Sequence, residues 1–402
     1  MMKKLYLFPV RFPYTEIVEC FLADEFPFLA KQFEEVVIVP LKKEVQNSKI
    51  LPGNCTIVEP IFSNKYLFFL RGIFCSRSFK LLWKDFFFNK TWASKNKLRI
   101  WFIGYITINN ILNSNSIKKI EKDLQQSDVC YFYWGKWSNV LSIFWKNKAK
   151  CVSRFHGWGD LWESDYDEYF PLRKQVTLSL NCAVHISTIG KEYFESRYPE
   201  CKTAIARLGS FDNGYCPIND NESIVNIVSC SSLWPLKRVD LILRSVTLLA
   251  NKYHVDVFWT HIGGDGINLQ MLKEKAEDMV SDKFHYNLLG SLKHTDVLEY
   301  YRIHSCDLFV NLSAIEGVPV SIMEAISFGI PTIATNVGGT ADIVVSQQTG
   351  ELVSAMPSED EVADTLYKVL NNRRCYHPKV FWDKYYNAEK NYQKFAKFLY
   401  NI

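Results

Sequence analysis

The chain of 402 residues contains no Cys-x-x-Cys pair, and none of its eight histidines stands at zinc-type spacing from a cysteine. A zinc ribbon or finger is thereby excluded, and so is a thioredoxin-type redox pair. The eleven cysteines form an odd, scattered set, which suits reduced thiols better than a disulfide framework and points to the cytoplasm. Apolar stretches are broken by charge, Asn or Ser before they reach about 20 residues, so no spanning helix is expected. The start, Met1-Met2-Lys3-Lys4-Leu5-Tyr6-Leu7-Phe8-Pro9, passes from lysines into a strand-like run and lacks the long apolar core and small-residue cleavage site of a signal peptide. Charge imbalance is missing too. Lys and Arg number 47 against 43 Asp and Glu, a net +4 that argues against a dedicated nucleic-acid binder.

What is present is a folded composition, 48% hydrophobic and 22% charged, in a chain too long for one core; two domains of roughly 200 residues each are expected. In the second half short apolar runs alternate with helical patterns. Strands are expected at Ile224–Ser229, Val255–Ile262, Asp307–Leu312 and Pro331–Thr335, and helices at Val239–Leu249, through Leu272–Met279 and near Ser321–Ser327. Such alternation, with continuous β-branched strands, indicates an α/β doubly wound parallel sheet. The first half is richer in aromatics, yet Leu5–Phe8, Val36–Val39, Ile100–Ile103, Val129–Tyr133 and Cys151–Phe155 read as short buried strands of a second such layer. Gly209, Gly214, Pro217 and four Asn or Asp make Leu208–Asn221 the linker candidate.

The most informative stretch runs from Asn311 to Ala325. An apolar strand ends there, a loop with Glu316 and Gly317 follows, and Pro319 stands where a first helical turn accepts it. Unpartnered N–H groups at a helix start form an anion site suited to a diphosphate, here around Gly317, Val318, Pro319, Val320 and Ser321. A carboxylate accepts hydrogen bonds from two neighbouring hydroxyls, so one acid beside that site suits a ribose diol and a second a sugar diol. The bland alternative is two solvated acids, but Glu324 falls inside an otherwise apolar helix, where an unpaired acid is costly.

Glu316 and Glu324, seven residues apart in the frame EGVPVSIMEAISFGIPTIATNVGG, resemble the pattern of the family 4 (group 1) retaining glycosyltransferases. The similarity covers most of the C-terminal half and extends weakly to Phe12-Pro13-Tyr14, Arg154-Phe155-His156-Gly157 and Arg207-Leu208-Gly209. It implies a GT-B fold, two Rossmann-like domains facing across a cleft: an acceptor-binding domain over 1–210, a donor-binding domain over 211–380, and a terminal helix over 381–402 crossing back to the first. It assigns Glu316 to donor-sugar hydroxyls and Glu324 to the ribose. It also implies an Arg and then a Lys on the diphosphate after the first strand of the second domain; Lys237 matches, but the Arg position holds Ser232. Arg238 and Arg207, the latter next to Leu208-Gly209, are the candidate replacements. With cations and N–H groups meeting the charge of the leaving diphosphate, no divalent metal and no other cofactor is expected.

Gly263-Gly264-Asp265-Gly266 reads as a tight turn or as donor-cleft lining, and the resemblance favours the lining; Leu292, after Leu289-Gly290-Ser291, falls where the family's backbone meets the nucleobase. His156 ends a parallel strand, at the edge where ligands bind, and the resemblance places it near donor sugar or acceptor; a packed histidine is the alternative. Asp160, Trp162 and Glu163 are candidates for shaping an acceptor site. Asp165-Tyr166-Asp167 imitates an Asp-x-Asp metal site but lies in a charged run with no buried strand before it, so it reads as solvated. Lys65–Lys97 interleaves eight cations with aromatics around a single acid, Asp85, a mixture that can lie on an anionic bilayer or form core with a solvated basic face. The partners expected are a nucleotide-sugar donor, a saccharide or lipid-linked saccharide acceptor and an anionic membrane surface, with no nucleic acid. The rivals to a glycosyltransferase are a nucleotide-sugar epimerase and a non-catalytic partner subunit on the same fold.

Overall fold

Short strands that are apolar on both faces leave no polar side for water, and they pair in parallel under helices that cover both faces. In the computed structural model, which describes residues 3–15, 19–43, 51–62, 65–157, 159–219 and 223–402, these strands form two sheets. Two compact units result: Met1–Leu208 together with Lys390–Ile402, and Gly209–Glu389.

The first unit contains β1 (Lys4–Phe8), β2 (Glu35–Ile38), β3 (Cys55–Ile57), β4 (Val129–Phe132), β5 (Lys150–Phe155), β6 (Cys182–His185) and β7 (Thr203–Ile205), ordered 3-2-1-4-5-6-7. The second contains β8 (Ile224–Cys230), β9 (Asp256–Ile262), β10 (Phe284–Gly290), β11 (Leu308–Asn311), β12 (Thr332–Thr335) and β13 (Gly350–Val353), ordered 10-9-8-11-12-13. Every strand pairing described is parallel. In each sheet the order reverses beside one central strand, between β1 and β4 and between β8 and β11, which is where doubly wound sheets bind ligands.

Two expectations are corrected. Ile100–Ile103 is not a strand but part of the helix Lys95–Asn113, started by Ser94, whose side chain accepts the Lys97 N–H. The run splits across that helix: Ile100 and Trp101 are buried, Phe102 and Ile103 exposed. The terminal segment returning to the first unit begins at Lys390, not 381. Residues 381–389 stay with the second unit, where Trp382 Nε1 donates to Ser210 Oγ at 2.8 Å and Tyr386 Oη to the Asp342 carbonyl at 3.0 Å. The linker candidate holds no helix or strand over 209–219, and its last residues, 220–221, lie outside the described residues.

The helix Ala388–Asn401 places Phe395, Ala396 and Leu399 in one core with Leu5, Val129 and Tyr131. Beneath it lies an ion pair with no solvent access, Arg154 on β5 with Glu25 on the helix Cys20–Gln32. The Arg154 guanidinium stacks 4.1 Å from the Phe395 ring and 5.7 Å from Tyr131. Burial pushes the Glu25 carboxyl above its usual range, and Arg154 pulls it back. Removing one partner of such a pair leaves a bare buried charge, so Glu25→Ala should cost about 3–5 kcal/mol in denaturant unfolding, whereas Glu25→Gln with Arg154→Met should cost far less. Equal losses for the single and double variants would show that packing volume, not charge, is at stake.

Candidate active site

In the second unit the switch point sends two loops from the carboxyl ends of β8 and β11 side by side. The Ala314 N–H donates to the Leu236 carbonyl at 2.7 Å, tying loop 313–319 to loop 231–238. Across that junction Lys237 Nζ meets Glu316 Oε1 at 2.6 Å, both side chains more than two-thirds shielded, and Asn311 Nδ2 approaches the same oxygen at 3.4 Å. Asn311 also accepts the Ser313 N–H, fixing the start of the loop. A second backbone layer explains the Gly338-Gly339 pair: a Cβ on Gly338 would sit 1.8 Å from the Glu316 carbonyl oxygen, and one on Gly339 2.4 Å from that of Gly317.

Pro319 precedes the helix Val320–Ser327, whose first internal bond is Met323 N–H to the Pro319 carbonyl. The N–H groups of Val320, Ser321 and Ile322 therefore have no partner within the helix and point back toward Gly317 and Val318. Glu324 lies one turn in and is buried, with Oε1 2.7 Å from Nε2 of the largely exposed His294. The neighbouring loops complete this edge. A Cβ on Gly263 would lie 2.0 Å from the Ser231 carbonyl oxygen and one on Gly264 2.3 Å from Leu233, so glycine there lets the loops touch. Ser291 Oγ donates to the Gly264 carbonyl, bringing the partly exposed Leu292 to the same edge. Ser232 is exposed. Arg238, in a left-handed conformation with φ 49°, turns Nη1 to the Ala355 carbonyl at 2.8 Å. Gly209 stands apart from this group, packed on the backbone of Tyr386 and Ala388, where a Cβ would come within 2.4 Å.

In the first unit the equivalent edge is organised by buried acids. Glu19 accepts the N–H groups of Val10, Arg11 and Phe12 and the Trp134 indole N–H, each at 2.8 Å, joining the loops after β1 and β4. Asp160 accepts from the N–H groups of Gly135, His156 and Gly157 at 3.0 Å, and Arg173 donates to the carbonyls of Gly135 and Asp160. Burial lifts the Asp160 carboxyl to about 6 against those donors. His156 is thus set at the carboxyl end of β5, its ring 4.5 Å from Trp134 and 4.6 Å from Tyr133, with Nε2 2.9 Å from the Tyr133 carbonyl. A carbonyl accepts only, so Nε2 carries the proton and Nδ1 is left as an acceptor. Arg207 belongs to this unit, with Nη2 on Thr188 Oγ1 at 2.9 Å. Asp167 accepts from Ser94 Oγ; the side chains of Asp165 and Tyr166 lie outside the described residues.

Reading the sequence missed four contributors. His294, thirty positions from Glu324, and Arg173, thirteen from Asp160, leave no local trace. Glu19 has no spacing relation to Trp134. Only Gly338-Gly339, a glycine pair in the loop after β12, carries a visible hint of close backbone approach.

Burial, and then the nearby Arg154 charge, lower the His156 pKa from 6.5 to about 3. The imidazole is therefore neutral at working pH, and its NMR resonances should not titrate between about pH 5 and 8. Because the folded value is the depressed one, its contribution to stability is present above 6.5 and is lost as pH falls below it, at up to about 1.4 kcal/mol per pH unit until the folded value is reached. A titration midpoint near 6.5 in the folded protein would overturn this placement.

The family model described as "Glycosyl transferases group 1" matches residues 218–391. The gpi3 subunit of phosphatidylinositol N-acetylglucosaminyltransferase from Schizosaccharomyces pombe is 31% identical over 160 residues, 39% of this chain and 32% of that protein. The chain spans only 22–33% of the length of the first curated relatives it matches. Among solved structures, the apo form of the lipopolysaccharide outer core galactosyltransferase WaaB aligns over 98% of this chain and 99% of its own, with TM-score 0.67 and 14% identity. Anabaena HepE in complex with UDP aligns over 100% of both chains, with TM-score 0.61 and 12% identity. Residues 218–391 of the chain match the group 1 glycosyltransferase family model, and the fold is GT-B.

Proposed function

We propose that the protein transfers a sugar from a nucleoside diphosphate sugar to a saccharide hydroxyl with retention of anomeric configuration. The observation that carries this is the pairing of Lys237 with Glu316 beside the free N–H groups of the helix Val320–Ser327 and the buried carboxylate of Glu324. The N–H groups and Lys237 would take the diphosphate, whose charge grows as the glycosidic bond breaks. Lys237 would exchange its carboxylate partner for phosphate, freeing Glu316 to accept from sugar hydroxyls, while Glu324 would accept from the ribose diol in place of His294. The leaving phosphate oxygen would take the acceptor proton on the same face, so no enzymatic nucleophile is required. Neutral His156 would contribute a hydrogen bond rather than a charge. Arg238 and Arg207 are the candidates to stand in for the Arg absent at Ser232.

The acceptor on this reading is lipid-linked or part of a surface polysaccharide, in keeping with the phosphatidylinositol and lipopolysaccharide in the names of two similar proteins. That acceptor would place the enzyme in the cytoplasm at the inner face of the cell membrane. The UDP of the Anabaena complex makes uridine diphosphate sugars the first donors to try.

Incubation with UDP-, GDP- and dTDP-sugars and membrane extract should yield one sugar-extended product by mass, and excess chelator should leave its rate intact. Loss of activity restored by Mn²⁺ or Mg²⁺ would instead assign the diphosphate charge to a metal. Glu324→Gln turns a charged acceptor of two hydroxyls into an amide, a loss of about 1.5–3 kcal/mol, so calorimetry should show nucleotide affinity lowered on the order of ten- to a hundredfold. Unchanged affinity would remove Glu324 from the site.

A further inference from the structure

The stretch Lys65–Lys97 divides cleanly by burial. Leu82 and Asp85 on the helix Ser76–Phe88 face the core, whereas Phe79, Phe87 and Phe88 are 44%, 60% and 73% exposed. The exposed rings are linked through Trp83, which is itself half-buried against the core. Phe74 lies 5.6 Å from Phe79, Phe79 6.2 Å from Trp83, Trp83 6.1 Å from Phe87 and Phe87 5.7 Å from Trp92. Leu98, Phe102 and Ile103 on the next helix are exposed as well. Apolar surface gathered in this way, rather than scattered singly, marks an interaction site.

The charges carried by the segment itself are of one sign, while Asp167, which accepts from Ser94, and Glu168, which lines one cavity with Phe88, border it. Between residues 65 and 99 the single acid is Asp85, which is buried and accepts from Tyr169 Oη, Asn89 Nδ2 and the Leu172 N–H. Arg77 is paired with Glu121. Lys80, Lys84, Lys90, Lys95 and Arg99 are all exposed, and Lys80 and Lys84 stand one turn apart on the helix that carries Phe79, Trp83 and Phe87. The side chains of Lys65, Tyr66, Leu67 and Phe69 lie outside the described residues.

We infer that this strip seats the first unit on an anionic lipid bilayer, rings entering the headgroup boundary and lysines reaching the lipid phosphates. Protein interfaces deplete lysine at their centres, whereas a bilayer accepts apolar rings flanked by snorkelling cations. No helix among the described residues is long and apolar enough to cross a membrane, so the contact is with the surface. The docking is tested with no sugar or nucleotide present, so its failure and a failure of the transfer reading are separable.

In vesicle co-sedimentation the whole protein should bind phosphatidylcholine mixed with phosphatidylglycerol, bind pure phosphatidylcholine far less, and lose part of the binding in raised salt. Lys80→Glu with Lys84→Glu should weaken binding by roughly tenfold or more, and Phe87→Ser with Phe88→Ser should remove the salt-resistant part, both with unchanged thermal midpoints. Equal and negligible binding of the unaltered protein to both vesicles overturns the inference without any variant. So does undiminished binding of the folded Lys80/Lys84 variant. A concentration-dependent dimer that Phe87→Ser with Phe88→Ser abolishes, with no vesicle binding, would assign the strip to a second copy of the chain and overturn it equally.

Discussion

Parallel pairing is the constraint from which the site follows. When every strand of a sheet runs the same way, every outgoing loop leaves from one edge and every returning helix arrives at the other. Chemistry-bearing residues far apart in sequence are then delivered to one line without any contact between them in the chain. Loops 231–238, 263–265, 290–292 and 313–319 meet in this way in the second unit, and the reversal between β8 and β11 opens the gap in which two of them can hold a ligand. Glycines at 263, 264, 338 and 339 are consequences of the same crowding, since each faces a neighbouring loop at a distance no Cβ tolerates.

The loops are held by carboxylates rather than by packing alone. Glu19 and Asp160 each gather backbone N–H groups that no strand or helix supplies with partners, and bonds to a charged acceptor are stronger than neutral ones. The cost of burying the charge shows in the raised Asp160 carboxyl. Glu316 differs from these two. Its partner is the mobile-stemmed Lys237, a point charge that can exchange one anion for another, so the same kind of group serves as a fixed organiser in one unit and as an exchangeable contact in the other.

The second unit was legible where continuous apolar strands, β8, β9, β11 and β12, are separated by helices whose periodicity is plain; the more polar β10 and the short β13 gave no such signal. Glu316 and Glu324 stood out there because one is tied to a loop after a strand and the other is an acid in an apolar helix. The first unit was harder to read. The three-residue strands β3 and β7 offer too little pattern, and β6 contains a buried His185 that reads as polar. Ile100–Ile103 looked like a strand because four apolar residues in a row carry no period; their division into two buried and two exposed appears only on a helix. His294, Glu19 and Arg173 act through tertiary neighbours, which a linear pattern does not encode.

The first unit is discontinuous in sequence: Met1–Leu208 is closed by Lys390–Ile402, with the whole second unit between. A ribosome therefore releases β1 to β7, and the buried Arg154–Glu25 pair with them, long before Phe395 exists to cover the guanidinium. During synthesis the second unit, although begun later, is the first to have all of its residues in hand. The half that is started first is finished last, and until the final helix emerges its sheet carries an apolar face and a charge that water can still reach.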